Sequence, residues 1–262
     1  MTLAARARPV LRVVEHHFLV YRRTWRGTVF STFLNPVLFL AAIGVGLGTF
    51  VDRANPDGIG GVPYLVFLAP GLLAGQAMNT ATFESTYPVM AGIRWLKTYG
   101  AMILSPLTAH HVAIGQLVWV GLRLAFGSAV FLAIMVVVGA TDMPHALLML
   151  PPAVLTGLAF AAPIQAFSAA QRNDTPFAAL FRFVITPMFI FSGTFFPVSQ
   201  LPDAVEWLAY LTPLWHGVAL TRSIALDAFD PGLAAVNVAV LVGFTALGLL
   251  ASFRTFSQKL AS

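Results

Sequence analysis

Long apolar stretches constrain this chain more than any other feature. Within residues 110–139, Arg123 is the only side chain with a full charge. A helix of this length rises about 45 Å, enough to cross the ~30 Å hydrocarbon core of a bilayer. Because lipid offers no hydrogen-bond partner to free backbone groups, each crossing must be helical. The sequence therefore predicts an all-α integral membrane protein.

The composition supports several such crossings. Apolar residues make up 58% of the 262 residues and charged residues 10%, against roughly 25% charged residues in soluble domains. A chain of this length holds about six spans of ~20 residues with their connections. We predict one transmembrane domain over residues 1–262, with spans at about 28–50, 63–83, 110–139, 146–170, 178–197 and 232–253.

The basic residues predict the orientation of these spans. With the N-terminus in the cytoplasm, the outer segments hold only Arg53 and Arg222. The cytoplasmic segments then hold Arg6, Arg8, Arg12, Arg22, Arg23, Arg26, Arg94, Lys97, Arg172, Arg182, Arg254 and Lys259. This excess of inner cations predicts that both termini are cytoplasmic. It also accounts for most of the net charge of +5, so no nucleic-acid partner is expected.

Residues 9–26 are predicted to lie on the inner membrane surface. At 100° per residue, one face of this segment is basic and the opposite face is apolar, which is typical of an interfacial amphipathic helix. The apolar face holds Val10, Val14, Phe18, Tyr21 and Trp25. The alternative is a disordered basic leader.

Residues 198–231, between the fifth and sixth spans, are too apolar for a solvated loop. Pro202, Pro213 and Pro231 interrupt them. We predict two short re-entrant helices that dip into the outer leaflet, because irregular backbone at that depth must be buried against protein or line a cavity.

The connection between the second and third spans is unusually long. Residues 83–108 fall on the cytoplasmic side, and Pro88 and Pro106 bracket a predicted helix of about 16 residues. Such a helix, lying under the membrane, either offers a docking surface to a second protein or only caps the bundle. The periodicity alone leaves both readings open.

Three stretches carry a family resemblance. "TFESTYPVMAGIRWLKTYGAMILSPLT" (82–108), "ITPMFIFSGTFFPVSQLP" (185–202) and "LTPLWHGVALTR" (211–222) resemble segments of ABC-2 type transporter permeases, the membrane subunits of ABC exporters. The resemblance is closest to exporters of nodulation lipo-oligosaccharides and to daunorubicin-type drug exporters. With the six-span order, it covers nearly the whole chain.

The resemblance implies a function and partners. It implies a permease of the bacterial cytoplasmic membrane that exports an amphipathic molecule, such as a lipid-linked saccharide, lipid or hydrophobic drug. It also implies a dimer of permeases, surrounded by membrane lipid, and a separate nucleotide-binding ATPase subunit that docks on a coupling region at residues 84–106. The candidate coupling residues are Glu84, Arg94, Trp95 and Lys97.

The sequence agrees that the chain is not itself an ATPase. No G-x-x-x-x-G-K-[ST] motif occurs in it, so it has no P-loop for nucleotide phosphates. ATP and magnesium are therefore expected on the partner subunit. We predict no catalytic, cofactor or metal residues in this chain: it has no cysteine, and no histidine has metal-ligand spacing with another ligand.

Arg123 and Glu84 are the charged residues nearest the membrane interior. No acid within a predicted span can pair with Arg123, so it either contacts a polar substrate headgroup or reaches the inner lipid headgroups. Glu84, where the second span ends, is expected to pair at the surface with Arg94 or Lys97; the alternative is a contact with the partner subunit.

Aromatic residues crowd the outer end of the fifth span. The resemblance places this stretch at the outer gate of a transport path, where apolar side chains would keep it closed. An ordinary aromatic belt would look similar. The candidate path or gate residues are Arg123, Phe189, Phe191, Phe195, Phe196 and His216.

Two other functional classes remain possible. An ion-gradient-driven secondary transporter usually carries an acid within a span or paired broken helices, and the predicted spans contain no Asp or Glu. An intramembrane lipid-modifying enzyme would need titratable groups that converge at one membrane face. The outer carboxylates that could supply them are Asp203, Glu206, Asp227 and Asp230.

Overall fold

The computed structural model describes residues 3–260, with the side chains of 3–7, 28–33, 35, 45 and 204 left out. Helices dominate this range and no β-strand occurs in it, which confirms the all-α class. The α-helices are α1 (Leu3–Phe39), α2 (Gly48–Ala54), α3 (Tyr64–Met90), α4 (Thr98–Ile103), α5 (Ala109–Val137), α6 (Met143–Ala170), α7 (Thr175–Leu180), α8 (Thr186–Phe191), α9 (Asp203–Tyr210), α10 (Pro213–Ala225) and α11 (Pro231–Leu260). Three π-helical segments join α1 to α2, extend α3 and join α7 to α8, at Leu40–Leu47, Ala91–Trp95 and Phe181–Ile185.

Side-chain caps fix where the long helices begin. The Thr108 hydroxyl accepts a hydrogen bond from the backbone N–H of His111, and the His111 ring accepts one from the backbone N–H of Thr108. The Asp142 carboxylate accepts from the backbone N–H of His145 at 3.1 Å. These bonds satisfy first-turn N–H groups that have no partner within the helix, so α5 and α6 begin at these positions.

Helix α6 lies at the centre of the bundle, packed by α3, α5, α10 and α11. Small residues allow the close approach that helix contacts in membranes favour. A Cβ added at Gly248 of α11 would clash with Pro163 of α6, and one added at Gly217 of α10 would clash with Thr156. The packing around α6 therefore depends on these glycines.

Several helices are suited to crossing a membrane. Among the described residues, the helices that are long and apolar enough are Pro36–Ala54, Ala109–Val137, Met143–Ala170 and Pro231–Leu260, and Thr175–Phe191 is a shorter apolar helix. Helix α3 has 27 residues but is more polar, since it carries Gln76, Asn79 and Thr80. The structure thus has several helices that are long and apolar enough to cross a membrane, and the six-span layout stays a prediction.

The first helix is longer than the predicted first span. It begins at Leu3 and continues through the π-helical segment to Ala54, so residues 9–26 run directly into the span. Val13 is fully buried and lies where a Cβ on Gly115 of α5 would be. Phe18 is 54% exposed. The surface position of residues 9–26 stays a prediction.

The prediction of a single helix between Pro88 and Pro106 is wrong. Helix α3 runs through Pro88 and continues as π-helix to Trp95, and the chain turns at Lys97, which has a left-handed φ of 53°. Pro88 lacks the N–H that would bond to the Glu84 carbonyl. The Gln116 side-chain amide donates to that carbonyl instead, at 3.0 Å, which lets the helix continue.

The outer end of the predicted fifth span also differs. The helix stops at Phe191, and Gly193, with a φ of 80°, lies in the turn that follows. Phe195 and Phe196 therefore lie beyond the helix rather than on it. Two short helices, α9 and α10, are present in residues 198–231 as predicted; their depth in the membrane stays a prediction.

Candidate functional site

The turn after α3 presents an apolar and basic surface. Trp95 is 54% exposed, Leu96 71% and Leu104 90%, and exposed Lys97 lies between them in the chain. Arg94 is half-buried, and its Nε atom finds no hydrogen-bond partner among the described residues. Trp95 and Leu96 are adjacent in the chain, and large apolar side chains exposed side by side are typical of an interaction surface. We call residues 94–104 the turn surface.

Glu84 pairs with Arg123. Arg123 therefore has a counter-ion that the sequence did not predict, and Glu84 does not pair with Arg94 or Lys97 as expected. Arg123 Nη2 lies 2.9 Å from Glu84 Oε1, and the two side chains are 11% and 17% exposed. The guanidinium also lies over the Tyr21 ring of α1, 4.4 Å from its centroid. Glu84 lies within the continuous helix α3, so Arg123 does have an acidic partner. Arg94 and Lys97 are not partners of Glu84.

A chain of hydrogen bonds connects the turn surface to this ion pair. The hydroxyl of Tyr99, which is buried in α4, donates to Gln116 Oε1 at 2.9 Å. The same Gln116 side chain donates to the Glu84 carbonyl. The bonds therefore join α4, α5 and α3 and end at the backbone carbonyl of Glu84. The Glu84 carboxylate pairs with Arg123, whose guanidinium contacts the Tyr21 ring of α1. We call this the inner relay.

His17 packs beside the inner relay, and the sequence analysis did not identify it. Its ring stacks on Trp119, with centroids 5.9 Å apart, and meets Tyr99 edge-on. Burial, reinforced by neighbouring His16, lowers the pKa of His17 to about 4. The sequence analysis assigned no role to His17, because only the packed structure places it against aromatic rings.

The end of the bundle that is predicted to face outward holds two of the predicted gate residues together. The rings of Phe189 and Phe195 meet edge-on with centroids 5.1 Å apart. Phe189 packs against α3 at Gly75, where any Cβ would overlap the ring. The Tyr64 hydroxyl donates to the Phe195 carbonyl at 3.2 Å. These contacts hold the turn after α8 against α3.

The other path candidates lie elsewhere. Phe191 is 42% exposed and lines an apolar groove of about 260 Å³ between α8 and α9. Phe196 is half-buried in the turn after α8. His216 is buried, and its Nδ1 lies 2.7 Å from Asn237 Oδ1 on α11. His216 therefore joins α10 to α11 and is not beside Phe189 or Phe195.

Arg222 joins the elements of the outer end. The sequence counted it as an outer cation, but its guanidinium is largely enclosed. Its Nη2 donates to the Gly193 carbonyl at 2.8 Å, and its Nε donates to the Phe67 carbonyl at 3.1 Å. It also lies over the Phe67 ring, 3.8 Å from the centroid. Arg222 thus ties α10 to α3 and to the turn after α8.

The outer carboxylates make separate local contacts. Asp227 lies 2.9 Å from the His145 ring, and Glu206 accepts from Tyr210 at 2.6 Å. Asp230 accepts a backbone N–H in the first turn of α11. Among residues 3–260, no group of three or more His, Cys, Asp or Glu could hold a metal ion.

Comparisons with known proteins agree with this architecture. A family model described as ABC-2 type transporter matches residues 10–226. Relatives named Nodulation protein J include those of Sinorhizobium fredii, 29% identical over 96% of this chain and 94% of the relative, and Rhizobium leguminosarum bv. viciae, 30% identical over 96% and 93%. That of Rhizobium leguminosarum bv. trifolii is 31% identical over 82% and 80%.

The family match includes both ends of the bundle described above. It takes in the turn surface and inner relay and also the Phe189–Phe195 contact and Arg222. Together with the apolar helices, it identifies an integral membrane protein of a transport system. The chain belongs to the ABC-2 type transporter family.

Proposed function

We propose that this chain is the permease subunit of an ABC exporter. It moves an amphipathic molecule, such as a lipid-linked saccharide, lipid or hydrophobic drug, outward with ATP hydrolysed by a separate subunit. The observation that carries the proposal is the turn surface, where Trp95, Leu96 and Leu104 are exposed beside Lys97 in a chain of the ABC-2 type transporter family. An apolar centre with cations at its edge fits a partner groove with acidic margins.

The inner relay gives docking at this surface a route into the membrane. Tyr99 lies on α4, directly after the turn, and its hydroxyl leads through Gln116 to Glu84 and Arg123. A shift of α4 on docking would disturb the buried Tyr99–Gln116 hydrogen bond, and a buried hydrogen bond is costly to leave unmade. Movement at the partner would therefore reach α3 and α5 together.

The assembly we propose has two permeases and two ATP-binding subunits. ATP and magnesium bind to the partner, and this chain contributes no catalytic residue. The chain lies in the bacterial cytoplasmic membrane with both termini in the cytoplasm, an orientation supported by the distribution of its basic residues. Phe189 and Phe195, held by Arg222 through the turn after α8, form the outer gate.

An ion-gradient-driven transporter remains the second candidate, because α3 contains a carboxylate after all. Glu84 is the intramembrane acid that this mechanism needs. Two of the N–H groups of Arg123 hold that carboxylate, however, and an acid that carries protons must exchange partners in each cycle. The ATP dependence of transport separates the two candidates.

The test is co-purification with an ATP-binding subunit encoded near this chain. We expect the wild-type permease to retain the subunit and to stimulate its ATP hydrolysis. Arg94→Glu/Lys97→Glu is expected to weaken binding at least tenfold, equivalent to about 1.4 kcal/mol. The matched control is Arg172→Glu/Arg254→Glu, which reverses two exposed cytoplasmic-side cations outside the turn surface.

Equal binding by the two double variants would show that Arg94 and Lys97 do not contribute to the interface. Transport that continues without any ATP-binding subunit, driven by a proton or sodium gradient, would replace the exporter assignment with the second candidate.

A further inference from the structure

His145 bridges two turns at the end of the bundle that is predicted to face outward. It lies in the first turn of α6, and its Nε2 lies 2.9 Å from Asp227 Oδ1 in the turn between α10 and α11. Its Nδ1 lies within hydrogen-bond distance of Asp142 Oδ1. The Asp142 contact spans 3 positions of the chain, whereas the Asp227 contact spans 82. One imidazole ring therefore joins the start of α6 to the end of α10.

Both ring nitrogens face carboxylate oxygens, which decides the protonation state that the contacts require. An ionised carboxylate only accepts hydrogen bonds, and a neutral imidazole has a single N–H. The neutral ring can therefore donate to Asp142 or to Asp227, and its other nitrogen then presents a lone pair to the second carboxylate. Only the imidazolium form satisfies both contacts at once.

The surroundings of His145 favour this charged form. Hydrogen bonds to Asp227 and then to Asp142 raise the pKa of His145 above its ordinary value of 6.5. Among the described residues, these two carboxylates are the charged groups that act on it. Asp230 accepts a backbone N–H in α11, and Arg222 of α10 donates to backbone carbonyls elsewhere. The first turns of α6 otherwise pack in an apolar cluster that includes Leu68 of α3, Met135 of α5 and Ile224 of α10.

The two carboxylates are held with different firmness. Asp142 is also the N-cap of α6, since the same oxygen accepts the backbone N–H of His145 at 3.1 Å. Asp227 has a left-handed φ of 53°, a conformation that costs free energy for a residue with a Cβ, and its side chain is 84% exposed. A neutral ring would therefore keep Asp142 and release Asp227.

We infer that His145 is a pH-dependent latch between α6 and the turn that joins α10 to α11. The imidazolium holds Asp227 and closes the latch, and loss of its proton opens it. Since α10 also carries Arg222, which is bonded to the turn after α8, the latch acts on the outer end of the bundle.

The sign of the pH dependence follows from the raised pKa of His145. The latch is complete below pH 6.5 and opens as the pH rises through that raised value. His145 precedes the predicted fourth span, so the pH that it senses is that of the outer medium. The latch does not depend on an ATP-driven partner, and it therefore stands apart from the proposed function.

Histidine NMR of the purified chain in phosphatidylcholine nanodiscs tests the protonation step. The signal of His145 is identified by its loss in His145→Gln. We expect Asp227→Asn to lower the titration midpoint of His145 by about half a pH unit, as is typical of an exposed ion pair. Asp142→Asn should lower it too while keeping the helix cap, because Asn caps as well as Asp. Asp230→Asn is the matched control from the same turn as Asp227 and should titrate like the wild type.

Spin labels measure whether the latch opens. The chain has no native cysteine, so labels can be placed at Met143→Cys and Phe229→Cys, which replace exposed side chains on the two turns. In the wild type, we expect the distance distribution to be at least twofold broader at pH 9 than at pH 6. His145→Gln should be broad at both pH values. His145→Arg keeps a positive charge and two donors, so it should be narrow at both.

Two results would overturn the inference. An equal midpoint of His145 in the wild type and in Asp227→Asn would show that Asp227 does not hold the charged ring. Equal distance distributions at pH 6 and pH 9 in the wild type, or the same broadening in His145→Arg, would show that loss of the proton does not open the contact. Asp227 is exposed in a turn, so its substitution should leave the fold intact, and thermal unfolding in detergent checks this. Both measurements use the permease alone, so either result leaves the exporter proposal standing.

Discussion

Glu84 on α3 and Arg123 on α5 form an ion pair in which Arg123 Nη2 and Nε reach the same carboxylate oxygen, at 2.9 and 3.2 Å. The two residues are 39 positions apart in the sequence. Each charge would be costly to bury alone, and the pair lets both remain inside the bundle.

Breaking this pair from one side should destabilise the protein strongly. Arg123→Gln leaves the Glu84 carboxylate largely buried without its counter-charge, for which we expect a loss of about 3–5 kcal/mol in unfolding free energy. Glu84→Gln/Arg123→Gln removes both charges and should lose clearly less than the two single losses added together. Denaturant titration in mixed micelles measures these values. Additive losses would show that the two charges act independently.

Removing the Tyr99 hydroxyl should interrupt the inner relay with little change in shape. Tyr99→Phe leaves Gln116 Oε1 buried without its donor, which costs about 1–3 kcal/mol. We also expect lower permease-stimulated ATP hydrolysis at unchanged binding of the ATP-binding subunit. Tyr210→Phe is the control, because Tyr210 is 40% exposed and bonds to Glu206 at the other end of the bundle. Unchanged hydrolysis in Tyr99→Phe would exclude the relay as the coupling route.

The outer gate should leak when its paired rings are removed. Phe189→Ala/Phe195→Ala opens the contact against Gly75, and since both rings are only partly buried, each loss should fall below the ~3–5 kcal/mol of a fully buried Phe. Raised efflux of a polar dye from proteoliposomes is the expected result. Phe191→Ala, on the separate groove beside α9, should not raise the efflux of the dye. Equal leakage by both variants would support a plain aromatic belt instead.

His17 should make stability depend on pH. Its pKa is lowered from 6.5 to about 4 in the folded protein, so between these values the unfolded chain binds more protons. Stability from this group is therefore complete above pH 6.5 and is lost as the pH falls toward 4. As the pH is lowered from 7.5 to 4.5, the unfolding temperature should fall more steeply for the wild type than for His17→Leu. His110→Gln should follow the wild type; equal slopes in all three proteins would contradict the prediction.

The orientation can be tested with single cysteines, since the chain contains none. An impermeant thiol reagent on intact cells should label Asp57→Cys and leave Lys97→Cys unlabelled. Both should react after the membrane is permeabilised. Labelling of Lys97→Cys from outside would invert the orientation and move the turn surface away from any cytoplasmic partner.

The features that could be predicted from the sequence are those that depend on residues close together in the chain. Apolar length predicts the helical class, and prolines with intervening apolar runs predict the two helices of residues 198–231. Pro88 was misleading because its effect depends on a distant donor: Gln116 satisfies the carbonyl that Pro88 leaves free. No local pattern near Pro88 contains that information.

The candidate site depended more heavily on distant contacts. Arg222 looks like one more outer cation in the sequence, but carbonyls of Phe67 and Gly193 receive its N–H groups. Glu84 was assigned to nearby cations because sequence separation was the only guide to distance. Burial and partner choice are set by packing, so they became visible only once the helices were assembled.

The three π-helical segments affect how this chain tolerates insertions and deletions. They lie at Leu40–Leu47, Ala91–Trp95 and Phe181–Ile185, within or at the end of a helical stretch. A π-helical turn holds more residues than an α-helical one, so deleting one residue there returns the turn to α-helical winding and leaves the helix beyond it in nearly the same orientation. In the first helix, such a deletion would keep Asp52 near the Tyr64 N–H that it now accepts from at 2.9 Å. A deletion in a regular α-helical stretch would instead rotate everything beyond it by about 100°, so these three places are where a length difference is absorbed without re-aiming a helix face.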